Sequence, residues 1–393
     1  MLIQMVAPLD GESGRFSGLA AMLKTLRLEH PKCYGQFIEM DDMAGDKLAY
    51  RLHNESRNPE EPMIRYRHDE RFIAGWSELG ISQEELHISW KEHGVYLLTG
   101  GAGSLGLIFA EEMVSQVRQI TLILTGRSQL TLHQQGQIAE LRNSGARVSY
   151  EQVDVSDKES VNRLIQSVVA QYGSLNGILH GAGVCRDSFL MKKTREELHS
   201  VLDPKVNGLV HLDQATRGIR LDFFYLFSSI AGSLGNPGQA DYAAANAFMD
   251  SFASYRNGLV MKKERYGQTI SVNWPLWQEG GMQMDESVRR QRMEQAGMAM
   301  LRTDKGIRAL YQIASAGVDQ AMVMEGNTAQ LRAAVCSDRR PAIDVKSGGD
   351  LLHSSASEMP DDAFFLHLTQ QISSGELSEE QLAEILKVSS MRG

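Results

Sequence analysis

From about residue 94 the chain alternates short, unbroken apolar runs with longer amphipathic stretches. "VYLLTG" (95–100), "ITLILTG" (120–126), "RVSYEQVDV", "LNGILHGAG", "DFFYLFSSI", "QTISVNW" and "QAMVME" (320–325) read as strands. "SLGLIFAEEMVSQV", "HQQGQIAELRNSG" and "KESVNRLIQSVVAQYG" read as the helices that follow the first three, with Gly145 and Gly173 closing the last two. A strand that is apolar at nearly every position has no face left for water, so the sheet must be covered on both sides. Right-handed crossovers between such strands give a parallel, doubly wound α/β sheet of Rossmann type.

The flanks differ. In residues 1–93, "FSGLAAMLKTLRLEHP" reads as a helix stopped by Pro31, "CYGQFIEM" as a strand, "KLAYRLHN" as a helix and "PMIRYRHDERFIAGWSEL" as a hairpin. That is too little to bury an independent core, so a small N-terminal subdomain packed on the large lobe (94–340) is expected. The end, 341–393, opens with the linker-like "KSGGDLLHSSASEMPDD" and continues as a helical tail, two short helices with a capping box from Ser378.

The bulk properties exclude several classes of function. A formal charge of −9 gives no support for binding nucleic acid or an anionic membrane. Cys33, Cys185 and Cys336 form no CxxC pair, which argues against a disulfide framework or a cysteine zinc site and fits a reducing cytoplasm. The histidines show no HExxH spacing, so no metal is expected. The N-terminus lacks the basic, then apolar, pattern of a signal peptide, and no run approaches the ~18 apolar residues of a membrane span.

"TGGAGSLG" (Thr99, Gly100, Gly101, Gly103, Ser104, Leu105 and Gly106 in particular) lies between the first strand and the first helix. Glycines there let backbone approach a pyrophosphate, and the helix start offers unpaired N–H groups. The second strand ends in "TGRS", where a cofactor lacking a 2′-phosphate usually meets an acid. Arg127 and Ser128 suit a 2′-phosphate instead, which points to NADPH. By analogy with dinucleotide folds, Asp154 and Val155 fall beside the adenine, and Gly181, Ala182 and Gly183 leave room for a ribose. His180 reads as a packed core histidine.

Reducing a carbonyl with hydride needs a proton donor and hydrogen bonds for the developing alkoxide. "SSIAGSLGNPGQADYAAANAF" brings Ser229, Tyr242 and Asn246 together around one strand end and helix start. A phenol of pKa ~10 needs a neighbouring cation to lower that value. Free-standing short-chain dehydrogenases place a lysine one helical turn after the tyrosine, where this chain has Asn246. The lysine appears earlier, in "LDPKVNG", as Lys205.

With that exchange, "GGAGSLG", "GRS", "DVSD", "LDPKVNG", "FSSIAGSLGNPGQADYAAANAF" and "NWPLW" resemble, in order and spacing, the ketoreductase domains of bacterial modular polyketide synthases. Those domains belong to the short-chain dehydrogenase/reductase superfamily, and a trans-acyltransferase, bacillaene-like system is the expected setting. "GLAAMLKTLRLEHP" and "IRYRHDERFIAGW" are similar to the back part of that family's structural subdomain, a degenerate Rossmann lobe whose front part has no counterpart here.

The resemblance implies that Tyr242 donates the proton and Ser229 binds the substrate carbonyl. Lys205 would acidify the tyrosine and orient the nicotinamide ribose, Asn246 would support Lys205 and a relay water, and Pro275 would lie at the cofactor. It implies NADPH-dependent reduction of a β-ketoacyl thioester on the phosphopantetheine of an acyl carrier protein, beside neighbouring synthase domains. Stereocontrol falls to Asp187, which remains of the B-type Leu-Asp-Asp, to Leu234 in place of the A-type tryptophan, and to Pro237. A D-configured alcohol is therefore expected. The Met residues 282, 284, 293 and 298, in an expected lid over 277–298, suit either an acyl wall or a helix core. Two alternatives stay open: a discrete dehydrogenase of free ketones, and a silent or epimerising domain.

Arg127 leads to a direct prediction: kcat/KM should be clearly higher with NADPH than with NADH. Steady-state kinetics giving equal efficiencies would contradict the assignment of "TGRS".

Overall fold

The computed structural model of the protein describes residues 1–9, 16–80, 90–280 and 297–336. The expected lid over most of 277–298, with Met282, Met284 and Met293, and the tail containing Ser378 lie outside the described residues.

Among the described residues the chain forms two main sheets. The first takes β1 (Leu2–Pro8), β2 (Tyr34–Met40), β3 (Met63–Arg67) and β4 (Glu70–Ile73) in that spatial order. β1, β2 and β3 are parallel, and β4 closes an antiparallel hairpin. The sequence reading missed β1. It is half-exposed along most of its length and lacks the unbroken apolar run that marks the buried strands.

The second sheet is parallel throughout. It contains β5 (Val95–Thr99), β6 (Thr121–Gly126), β7 (Arg147–Gln152), β8 (Gly177–His180), β9 (Phe223–Ser229), β10 (Gln268–Trp274) and β12 (Gln320–Met322). Their order is β12-β10-β9-β8-β5-β6-β7, the doubly wound topology that the sequence predicts. A short β11 (Met298–Ala299) pairs with β13 (Glu325–Gly326) apart from it. The connection leaves β5 toward one edge and returns at β8 toward the other, so a crevice opens above the C-terminal ends of β5 and β8. Open α/β sheets bind ligands at such a reversal.

Helices α3 (Ser104–Gln116), α4 (Leu132–Asn143), α5 (Lys158–Tyr172), α6 (Arg195–Lys205), α7 (Asn207–Ala215), α8 (Ile230–Leu234) and α9 (Ala240–Met261) follow the strands. One core lies on each face of the sheet, with Phe109, Met113 and Phe227 in one, and Ile165, Leu209 and Phe252 in the other. α5 ends as its sequence indicates, at Gly173 with φ +76°, a left-handed value that glycine adopts without strain.

The two sheets are joined through α1 (Ser17–Glu29), which with α2 (Gly45–Glu55) belongs to the first. One side of α1 buries Ala20 and Leu23 against Phe37, while Ala21 packs on Ala243 and Ala247 of α9. A Cβ on Gly18 would sit 2.8 Å from the Ala244 carbonyl oxygen, so the helices meet with almost nothing between their backbones. Ser17 Oγ donates to Ala247 O at 3.2 Å, and Lys24 Nζ to Ser233 O at 2.8 Å.

A buried charge cluster fastens the far end of α9. Asp213 accepts from Arg256 Nε at 2.8 Å and from Arg265 Nη2 at 2.9 Å, and all three side chains are buried. Arg256 also donates to Gly267 O and Thr269 Oγ1 at the start of β10. Removing one partner of such a group leaves uncompensated charge. Asp213→Ala should therefore lower unfolding free energy by about 3–5 kcal/mol in denaturant titration; a loss within experimental error would show the arginines to be hydrated there.

Candidate active site

β5 delivers Thr99 and Gly100 to the crevice, and α3 begins at once with Gly103 as its N-cap. Gly103 has no side chain to satisfy the first-turn N–H groups, so they remain available to an anion. Gly100 holds φ +66°, and a Cβ there would stand 2.9 Å from Gly181 O; a Cβ on Gly106 would press on Gly101 at 2.6 Å. Thr99 Oγ1 bonds His180 Nδ1 at 2.7 Å and accepts from Ala182 N at 3.3 Å, tying β5 to the loop after β8. His180 is fully buried and its pKa is pushed down to about 3, as suits a packed neutral imidazole.

The cleft that results has a volume of about 490 Å³. Thr99, Gly100, Gly103, Ser104, Leu105, Gly106, Gly181, Gly183 and Pro275 line it on one side, with Lys205, Ser229, Leu234 and Tyr242 on the other. A recess of about 120 Å³ adjoins it between Gly100, Arg127, Val155, Ala182 and Gly183. Gly101 lies beneath the turn, where its N–H bonds Thr125 O at 3.1 Å. Ser128 and Asp154 stay on the exposed rim; the Ser128 carbonyl accepts from Tyr150, and the Asp154 carboxylate from Ser156 N.

Ser229 ends β9 and caps α8, its Oγ accepting from Ala231 N at 3.2 Å. Tyr242 stands in the first turn of α9, where Asp241 Oδ1 accepts from its N–H at 2.8 Å. Beneath it Lys193 Nζ pairs with Asp241 Oδ2 at 2.9 Å, both side chains 1% exposed. Lys205, the last residue of α6, comes in from the opposite side. Its ammonium donates to Phe227 O at 2.9 Å and lies 5.7 Å from the centre of the Tyr242 ring. A Cβ on Gly183 would meet Lys205 Cε at 2.6 Å, so the bare glycine is what admits the lysine stem.

Burial pushes the Tyr242 pKa up to about 12, with Cys185 and Asp187 adding to the rise and Ser229 and Asn246 opposing it. Burial instead lowers Lys205, to about 8, partly offset by the field of Asp250. Desolvation disfavours whichever form is charged, so it moves the two groups in opposite directions. Asn246, in turn, does not reach Lys205 by a hydrogen bond. Its Nδ2 donates to Tyr242 O at 2.7 Å one turn back, and its buried Oδ1 has no partner among the described residues. Asp187 is exposed and accepts from Gln239 Nε2 at 3.0 Å; neither it nor the half-buried Pro237 lines the cleft.

One member of the site escaped the sequence reading. Asp250 is buried one turn beyond Asn246 and accepts from Ser271 Oγ at 2.6 Å and Asn273 Nδ2 at 2.7 Å. Asn273 Nδ2 also reaches Ser229 O at 2.9 Å, and Ser228 Oγ donates to Asn246 O at 3.2 Å. The carboxylate thus stands behind Ser229, Asn246 and Lys205 together. The spacing of four that links Tyr242, Asn246 and Asp250 places them on one helix face and could have revealed it.

The topology, the glycine turn and the convergence of a lysine, a serine and a tyrosine on one cleft are those of a short-chain dehydrogenase-type oxidoreductase. Comparison with known proteins narrows the class. The family model described as "KR domain" matches residues 94–279. The chain is 47% identical over 327 residues to polyketide synthase PksN of Bacillus subtilis (strain 168), covering 83% of this chain and 6% of that protein. It is 45% identical over 332 residues to PksL of the same organism, covering 84% and 7%. It therefore spans only a small part of these relatives.

Among solved structures, a ketoreductase domain from the bacillaene assembly line superposes with a TM-score of 0.83 at 44% identity, covering 85% of this chain and 80% of that one. An N-terminal ketoreductase from the macrolactin assembly line gives a TM-score of 0.71 at 32% identity, covering 85% and 65%. The chain belongs to the ketoreductase domain family of modular polyketide synthases, whose members use a nicotinamide cofactor.

The buried carboxylate makes a pH signature. Burial raises the Asp250 pKa from 3.8 to about 6, so the folded chain keeps this proton where the unfolded chain has released it. Stability should then fall as pH rises from about 4 to about 6, by up to about 3 kcal/mol, and level off above. Urea titrations at several pH values should show this loss in the wild type and its absence in Asp250→Asn; parallel curves would contradict it.

Proposed function

We propose that this domain reduces a β-ketoacyl thioester, carried on the phosphopantetheine of an acyl carrier protein, to the β-hydroxyacyl thioester with NADPH. The observation that carries this reading is the approach of the Lys205 ammonium to the Tyr242 ring across a cleft that also holds Ser229 and the glycine turn. Of the two alternatives, a silent domain is disfavoured by the presence of all four elements. A reductase of free ketones is disfavoured by relatives that are multidomain synthases. The same relatives support neighbouring synthase domains as partners, and the three free cysteines fit a cytoplasmic setting. Among the described residues no helix is long and apolar enough to cross a membrane.

The cradle fits a dinucleotide: uncapped N–H groups at α3 would face the pyrophosphate, and Arg127 beside the recess would face a 2′-phosphate. When bound, NADPH supplies the hydride. The Ser229 hydroxyl donates a hydrogen bond to the substrate carbonyl oxygen, and the Tyr242 hydroxyl passes its proton to that oxygen as negative charge develops. A phenol held near 12 is fully protonated at neutral pH, the form that reduction needs. Lys205, still mostly cationic below about 8, stabilises the phenolate left behind. The unpaired Asn246 Oδ1 suits a water that returns the proton. Asp187, Leu234 and Pro237 favour the B-type face and a D-alcohol.

The test is NADPH oxidation with synthetic β-ketoacyl pantetheine thioesters, followed by chiral analysis. The wild type should give the D-alcohol. Tyr242→Phe should reduce turnover at least a thousandfold while NADPH affinity stays within about twofold. No oxidation with any acyl length, or an L-alcohol, would overturn the substrate or the facial assignment respectively.

A further inference from the structure

We propose that Glu29, the last residue of α1, is a positioning residue that fixes the facial selectivity of reduction by tying together the two loops that flank Tyr242. Its Oε2 accepts from Leu190 N and its Oε1 from Gly238 N, both at 2.8 Å, across sequence separations of 161 and 209 residues. A carboxylate at the C-terminal end of a helix opposes the helix dipole, so Glu29 does nothing for α1 itself. Its two bonds act on the other lobe.

Those bonds lie close to the cleft. The loops are also joined directly, Ser188 N donating to Gly238 O at 2.9 Å. Three residues before Leu190, Asp187 accepts from Gln239 Nε2; one residue after Gly238, Gln239 carries that amide. The same Nε2 reaches Cys185 Sγ at 3.1 Å, and both Gln239 and Cys185 line the cleft. The Gln239 carbonyl accepts from Ala243 N at 2.7 Å, which sets the first turn of α9 and so the Tyr242 hydroxyl. Thr25, one turn back on α1, accepts from Asn236 N at 3.2 Å and gives the second loop another hold.

Part of the wall opposite the glycine turn, at Cys185 and Gln239, thus comes from two loops whose spacing one carboxylate of α1 helps to hold, in addition to the contacts between the loops themselves. Which face of a ketone meets hydride depends on which side of that wall takes the acyl chain, so the spacing decides the ratio of the two alcohols. This step rests on the ketoreductase reading above. A backbone amide needs an acceptor, and glutamine offers only one oxygen: its NH₂ would face the other N–H.

The experiment compares the full chain with Glu29→Gln, Glu29→Asp and Glu55→Gln. Glu55 binds Tyr66 and Arg71 in the same sheet, away from the cleft, and its substitution serves as a stability control. With a β-ketoacyl pantetheine thioester and NADPH, Glu29→Gln should lower the ratio of major to minor alcohol at least tenfold and raise KM for the thioester. NADPH affinity should stay within twofold, and Glu29→Asp, which keeps two acceptor oxygens, should fall between. Glu55→Gln should lower the melting temperature and leave the ratio unchanged. An unchanged ratio in Glu29→Gln, or an equal fall in Glu55→Gln, overturns the proposal. Hydrogen exchange at the Leu190 and Gly238 amides should accelerate in Glu29→Gln but not in Glu55→Gln, and unaltered exchange also overturns it. A wild type that reduces nothing overturns the ketoreductase reading instead, and the exchange rates still report on the tie.

Discussion

A buried ammonium is the constraint to which the other parts of the cleft answer. Lys205 is 3% exposed, and a cation out of water persists only where polar groups replace its hydration. Phe227 gives a carbonyl from the end of β9, Met249 a sulfur at 3.7 Å from α9, and Asp250 a field from the same helix. These partners come from the very elements that carry Ser229 and Tyr242. The lysine therefore sits where a strand end and a helix face are already held at fixed distance. Its compensation and the geometry of the cleft are one arrangement.

α9 serves three neighbours at once. Tyr242 in its first turn faces the cleft, Asp250 two turns on bonds β10 through Ser271 and Asn273, and Arg256 is locked to Asp213 of α7. Its remaining side packs on α1 through alanines. A helix fixed along its whole length cannot swing its first turn independently. That rigidity lets Tyr242 be positioned by residues several turns away.

The large sheet was legible because its strands are unbroken apolar runs, which only a two-sided burial explains. β1 was not, since "LIQMVAP" sits half-exposed at the edge of the smaller sheet. The convergence of Lys205 and Tyr242 on one cleft could be anticipated from motif order. The direction in which burial moves the tyrosine could not, because desolvation is set by packing from elements far apart in sequence. The bond of the Asn246 amide to the Tyr242 carbonyl one turn back leaves no mark in the sequence either, since any helix offers that carbonyl. Glu29 left no mark in the sequence because it binds backbone N–H groups, which every residue but proline carries.

The contact between Gly18 and Ala244 bears on how such domains can be recombined. Where two helices touch main chain to main chain, the fit depends on both surfaces being bare, and neither lobe records that requirement alone. A chimera that takes its first sheet from one relative and its second from another inherits two half-interfaces shaped by different histories. Crossover points chosen in the linker between the sheets would separate α1 from the helix it was matched to. Exchanging the pair as a single block keeps the seam intact.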